Sequence, residues 1–340
     1  MASTSIAERF TIQPKDGDYF GGTTPESYKK NWPQYVLRLE NVYLGPEGAI
    51  FDSDKNIILE ANFNYLFWKN LSDDLKRPDH PMQVRNDIHK QKLSATKITT
   101  LEKGINYIYG HQYFNHYVYG HLWDTFQDLE KIESLNLASK KLITPPLPGP
   151  VKDIELHFKL FGFEQKDITQ LDLHRKFSNH AYHVPVLYYP SCTAYPSSMS
   201  VAGVNYLRKK YSKLKTSEMP EVKLYLARKT DQRTVKNEEQ LIANLKNQGF
   251  KILFGDEGLK SHIEHFSNAS VIVSAHGAML KNFLFCKKGT RVIEFFAQDY
   301  INTCYKNMKD IMDFDYLSVN LPCDSSCNVE IPLDKLNDLI

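Results

Sequence analysis

The sequence predicts an α/β protein whose C-terminal half is built on a parallel sheet with helices on both faces. Short apolar runs alternate with amphipathic helices from Val222 to Phe296, the pattern that crossover connections between parallel strands require. At 340 residues the chain exceeds one small core, so two domains are expected. The Pro- and Ser-rich stretch Pro190–Ser198 reads as the linker between them. The expected organisation is therefore an N-terminal domain over residues 1–195, a C-terminal domain over 196–320, and a tail over 321–340.

The elements can be justified in chain order. Tyr35–Leu44 alternates as a half-buried strand and stops at Gly45-Pro46. Ala49–Phe51 and Asn56–Leu59 flank Asp52-Ser53-Asp54-Lys55, whose composition is that of a hairpin turn. A charged stretch over 72–97 precedes a strand at Ile105–Tyr109 and a helix from about Asn115 to Ile132. Thr144–Pro150 is a loop by composition, and Val151–Tyr189 mixes short apolar runs with histidines. Val222–Ala227 is a strand. Asn237 with Gln240 at the capping-box position opens a helix that Gly249 ends. Phe250–Phe254 is the next strand, and Ser261–Glu264 is a second capping box, opening a helix to about Asn268. Val271–Ser274 as strand, Met279–Phe285 as helix and Arg291–Phe296 as strand complete the pattern.

Chemistry concentrates where these strands end. His276-Gly277-Ala278 stands between a buried strand and a helix, so the free N–H groups of the helix start face whatever lies beyond the strand. Gly277 and Ala278 permit close backbone approach. Arg228 follows the first strand directly and Arg233 lies in the same loop; both offer permanently charged forked donors suited to phosphate. Glu294, near the end of the last strand, is a candidate acceptor for ribose hydroxyls. Together these groups fit a nucleoside diphosphate.

Leu224–Phe296 resembles the C-terminal half of glycosyltransferase family 61. The shared order is strand-Arg, Asn237-Glu238 before a helix, Ala269–Val273, His-Gly-Ala-x-Leu-x-Asn from His276 to Asn282, and Val292-Ile293-Glu294. Met279 and Lys281 stand where the family usually has Gly and Thr. More loosely, Tyr109–Leu129 with His116, His121 and Asp124 resembles the family's N-terminal histidine-containing helix. The resemblance implies a GT-B enzyme, two Rossmann-like domains facing a cleft, with the nucleotide-sugar donor in the C-terminal half. It implies an inverting, metal-independent transfer from a UDP-sugar, with xylose favoured and N-acetylglucosamine or arabinose possible, to a hydroxyl of a glycan or glycoprotein acceptor. No resident cofactor or metal is implied, the UDP-sugar being a substrate. Asp124 and His121 are the implied catalytic bases, while Arg228, Arg233, His276, Gly277, Ala278, Asn282 and Glu294 are the implied donor-binding residues.

Several classes are disfavoured. The 42 basic and 40 acidic residues nearly cancel, so charge gives no reason to expect nucleic acid as a partner. No Walker loop or Gly-x-Gly-x-x-Gly is present. The five cysteines, Cys192, Cys286, Cys304, Cys323 and Cys327, are odd in number and irregularly spaced, which argues against a disulfide framework. Without a secretory leader or spanning run, a soluble, cytoplasmic protein is expected. His174, His180 and His183 lack complementary ligands at zinc spacing. Asp52-Ser53-Asp54 imitates the Asp-x-Asp of metal-dependent GT-A transferases but falls too early in the chain. A GT-A-like enzyme using Asp52 and Asp54 is one alternative, and a non-catalytic nucleotide-binding protein of GT-B shape is the other.

Overall fold

The structure, a computed structural model, describes residues 5–11, 20–21, 34–45, 49–58, 93, 96–110, 120–144, 146, 153–171, 180–191, 199–215, 220–228 and 233–340. It divides into two compact units that meet in the chain between Ser198 and Met199, with short pieces near Gly21 and Val118 also assigned to the second unit.

The first unit contains β1 (Ile6–Thr11), β3 (Tyr35–Leu44), β4 (Ile50–Phe51), β5 (Lys97–Thr100), β6 (Asn106–Tyr109), β7 (Lys140–Thr144), β8 (Ile168–Gln170) and β9 (His180–Pro190). Two-residue β2 (Phe20–Gly21) lies outside its sheet. The sheet runs β1-β3-β9-β6-β7-β8, with β4 beside β3 and β5 beside β9. Its β1–β3–β9 side is antiparallel, while β9–β6–β7–β8 is parallel. In β3 the strand alternation slips at Asn41, which adopts φ 52°, a conformation asparagine tolerates better than most residues. As a result Leu37 and Leu39 before it, and Val42 and Leu44 after it, all enter one apolar cluster with Tyr107, Ile143 and Leu187.

The single helix expected up to Ile132 is broken. Its described part forms Gly120–Phe126 and Leu129–Glu133, separated at Gln127-Asp128. Trp123 and Phe126 are fully buried, and the Phe126 ring stacks on Phe161 at 4.6 Å. The hard-to-read segment after Val151 supplies the helix Ile154–Leu160 and the long strand β9. The charged stretch over 72–97 lies mostly outside the described residues, as does most of the Pro190–Ser198 linker.

The second unit begins with two-residue β10 (Met199–Ser200) and the helix Val201–Tyr211, where Ser200 Oγ accepts from the Gly203 N–H at 2.8 Å as an N-cap. Its sheet contains β11 (Val222–Leu226), β12 (Phe250–Leu253), β13 (Ala269–Ala275), β14 (Arg291–Ala297) and β15 (Asp315–Leu321). The order is β12-β11-β13-β14-β15, and every neighbouring pair is parallel. The chain winds outward from β11 to β12, then crosses back over β11 to β13. The strand order therefore reverses between β11 and β13.

Three local expectations need correction. Asn237 precedes the helix Glu238–Asn247, but its side chain caps nothing. It donates instead to Ile331 O at 2.8 Å and accepts from Ile331 N at 3.1 Å. The helix Leu259–Ser267 starts after Gly258, two residues ahead of the expected capping box at Ser261. Residues 321–340 are not a tail: Ile331 and Leu336 are fully buried and join Tyr225, Val273, Phe295 and Leu245 in one core, with the helix Leu333–Asn337 closing it. Burying several aliphatic and aromatic side chains at about 1.5–3 kcal/mol each is ample reason for this segment to fold down. Among the described residues, no helix is long and apolar enough to cross a membrane.

Candidate functional site

Strand alternation builds the site. Tyr225, Val273, Ile293, Phe295 and Val319 point to the apolar core just described. The residues between them belong to the opposite face. On that face the register sets Leu226 beside Ser274, Ser274 beside Glu294, and Val292 beside Tyr316. Continuing the alternation past the strand ends brings Arg228 and His276 to the same face, at the carboxyl end of the sheet and beside its reversal point.

Arg228 is held from two directions. Its backbone N–H donates to Glu238 Oε1 at 2.9 Å, and the Tyr225 hydroxyl donates to the same oxygen at 2.9 Å. Its guanidinium Nη1 donates to the carbonyl of His276. A Cβ placed on Gly277 would lie 2.8 Å from Arg228 Nη1, so Gly277 is the residue that leaves room for the guanidinium across the turn. Arg228 Nε is buried with no hydrogen-bond partner among the described residues. Burial, and then the nearby charge of Arg233, lower the Arg228 pKa below the ordinary arginine value. Arg233, at φ 55°, places its guanidinium 4.5 Å from the centre of the Tyr300 ring. Two cations thus stand near each other, and one of them keeps an open donor: an arrangement that an anion would relieve.

His276 donates its backbone N–H to Phe295 O at 2.8 Å, and its ring stacks on Phe296 at 5.2 Å. Imidazole Nδ1 lies 2.6 Å from Glu294 Oε1. The second carboxylate oxygen accepts from the Tyr316 hydroxyl. Glu294 is fully buried. Enclosed in this way, the carboxylate is closed to the ribose contact expected of it and faces His276 instead. Burial and the Glu294 charge push the Tyr316 phenol well up, so it remains an O–H donor.

Beyond the turn, Ala278–Phe285 forms a 3₁₀ helix, not the expected α-helix. Its first bond runs from Leu280 N to Gly277 O at 3.0 Å, leaving the N–H groups at its start outside the ladder. Asn282 is buried within this segment, donating to Met279 O at 2.9 Å, while its Oδ1 has no partner among the described residues.

The structure thus brings Arg228, Arg233, His276, Gly277, Ala278 and Glu294 together at one sheet edge. Sequence reasoning missed Tyr316, Glu238 and Tyr300. Strand parity would have found Tyr316, since it lies on the same face as Glu294 one strand away.

Asp124 and His121 belong to the first unit. Asp124 is fully buried on the helix Gly120–Phe126, close enough to Asp128 for its charge to raise that residue's pKa. The side chain of His121, and all of His116 and His174, lie outside the described residues. Asp52 Oδ1 accepts from the N–H groups of Asp54 at 3.0 Å and Asn56 at 2.9 Å, which makes the Asp-x-Asp look-alike a hydrogen-bonded turn. Among the described residues, no group of three His, Cys, Asp or Glu side chains is gathered as a metal site.

A parallel sheet wound in both directions from a reversal point, with arginines and a glycine turn at that point, defines a doubly wound α/β domain. Such sheets take ligands in the crevice at this position. The family model of glycosyltransferase 61 matches residues 78–293. The chain belongs to that family and is a glycosyltransferase, an enzyme class that takes a nucleotide-sugar donor and a glycan acceptor. Among solved structures, the E. coli heptosyltransferase WaaC with ADP aligns at 8% identity, covering 69% of this chain and 98% of its own, with a TM-score of 0.38. No curated protein matches.

Proposed function

We propose that this glycosyltransferase moves a sugar from a UDP-sugar to a glycan hydroxyl with inversion and without a bound metal ion, xylose being the favoured sugar. The observation that carries the proposal is the pair of neighbouring guanidiniums, Arg228 laid across Gly277 and Arg233 beside it, at the strand-order reversal. A departing UDP accumulates negative charge, and preorganised cations with free backbone N–H groups stabilise that charge in place of a metal. His276 adds a third basic group to the same edge. The donor sugar rests on the family resemblance alone.

Inversion by direct displacement needs a base for the acceptor proton. The resemblance offers His121 and Asp124. Asp124 is closed to solvent, so it meets an acceptor hydroxyl only after local rearrangement. Replacing the true base is expected to lower turnover while UDP affinity stays unchanged. Near-normal turnover in His121→Ala and Asp124→Asn would remove both.

The reading as a whole is tested by screening UDP- and GDP-sugars for slow donor hydrolysis by NMR, with and without EDTA. Hydrolysis of UDP-xylose that persists in EDTA is the expected result. Loss of activity in EDTA with recovery on adding manganese would overturn metal independence, and preference for a GDP-sugar would overturn the donor assignment.

A further inference from the structure

Glu294 is fully buried in the sheet, with Tyr316 on one carboxylate oxygen and His276 on the other. A fully buried carboxylate is costly unless it is paired and its oxygens are hydrogen-bonded. Among the described residues, the one basic group within ion-pair distance of Glu294 is the His276 imidazole, at 2.6 Å. The other oxygen is taken by Tyr316. Three adjacent parallel strands thus contribute one polar group each: His276 just past β13, Glu294 on β14 and Tyr316 on β15. No backbone constraint requires this, since an apolar residue at each position would fill the same face.

We propose that Glu294 and Tyr316 are positioning residues that turn His276 Nδ1 inward and present its Nε2 to the diphosphate of the donor. This rests on the donor-binding reading above and deepens it. Nδ1–H donates to Glu294, so the tautomer and ring orientation are fixed from behind, as second partners commonly fix histidines at functional sites. Tyr316 fixes the carboxylate in turn. In the imidazolium form both nitrogens donate, Nδ1 to Glu294 and Nε2 to a phosphoryl oxygen. No partner for Nε2 is found among the described residues, and the side chain keeps 10% of its surface exposed, which leaves that nitrogen for a ligand.

The groups facing this histidine are few. Phe296 stacks on one side of the ring at 5.2 Å, with Tyr305 at 5.4 Å and Tyr300 at 6.0 Å. Arg228 binds its carbonyl, and Arg233 lies against the Tyr300 ring. Tyr316 holds the other oxygen of Glu294, and Cys304 lies near Tyr316. Glu294 is the carboxylate that the His276 ring contacts directly, so its removal leaves Nδ1 without an anionic partner among the described residues.

The test combines long-range proton–nitrogen NMR of the histidine rings in the ligand-free enzyme with UDP calorimetry at pH 7.5. Wild-type His276 is expected to carry its proton on Nδ1 when neutral. In Glu294→Gln UDP affinity should fall roughly tenfold, since the anion that holds the imidazole is gone. Tyr316→Phe, which keeps the anion, should weaken binding only several-fold. A wild-type His276 with its neutral proton on Nε2 overturns the proposal, and this readout stands even if Glu294→Gln does not fold. Wild-type affinity in both variants would also overturn it. Wild-type protein with the expected tautomer but no UDP binding would instead overturn the donor-binding reading and, with it, the assigned target of Nε2.

Discussion

Arg228→Ala is expected to weaken UDP binding by about 1.5–3 kcal/mol, roughly ten- to hundredfold, because it removes a charge-assisted donor held ready for an anion. The native geometry explains why the loss should be near the top of the usual range for one side chain. Glu238 fixes the backbone at Arg228, the His276 carbonyl fixes one end of the guanidinium, and Nε is left buried and open. The ordering entropy that a flexible surface arginine would lose on binding has already been lost on folding. Gly277→Ala should reproduce much of this defect without touching the arginine. Its new Cβ would lie 2.8 Å from Arg228 Nη1 and push the guanidinium off the turn. The backbone at Gly277 is extended and suits alanine, so thermal stability should change little. Calorimetry with UDP on both variants checks the pair, and unchanged affinity in Arg228→Ala would remove this residue from the site.

The residues of that site were legible because each announces itself locally. An arginine just past a strand, a His-Gly-Ala turn between strand and helix, and a glutamate in an apolar strand are all visible in a short window, and the parallel sheet follows from alternation alone. What the window hides is long-range partnership. Asn237 has the residue type and position of an N-cap, yet it closes a two-way bond with Ile331, 94 positions away. That choice became possible only once the last twenty residues packed onto the helix. Glu294 likewise reads as an exposed acceptor until β15 delivers Tyr316 to its second oxygen. The 3₁₀ winding after Gly277 is a further case: the apolar pattern of Ala278–Phe285 fits either helix type, and burial of nearly every side chain there, including Lys281 and Asn282, is what the tighter segment accommodates. In the first unit, the family resemblance marks Asp124 as a reacting group, while tertiary packing encloses it near Asp128.

That enclosed cluster sets the second large effect, on stability. Lys131→Met is expected to destabilise the first unit by about 3–5 kcal/mol at pH 8, the usual cost of leaving a buried charge without its partner. Lys131 Nζ lies 2.6 Å from Asp128 Oδ1, with both side chains only 5% exposed, and also donates to Ser191 O. Burial raises the Asp128 pKa to about 6 even with Lys131 opposing it, and the charges of Asp124 and Glu130 push the same way. The sign follows from linkage. A carboxyl whose folded pKa lies above its unfolded value costs nothing when protonated in both states, and its penalty grows as pH rises from about 4 through 6. Removing Lys131 takes away the main influence holding that pKa down, so the penalty extends to higher pH and becomes larger. Methionine keeps most of the aliphatic volume, and below pH 5 the protonated Asp128 no longer needs a cation. The difference between variant and wild type should therefore be small at pH 5 and full at pH 8. Urea unfolding at the two pH values measures it directly, and an equal loss at both would show that packing around Lys131, not its charge, is what holds this part of the fold.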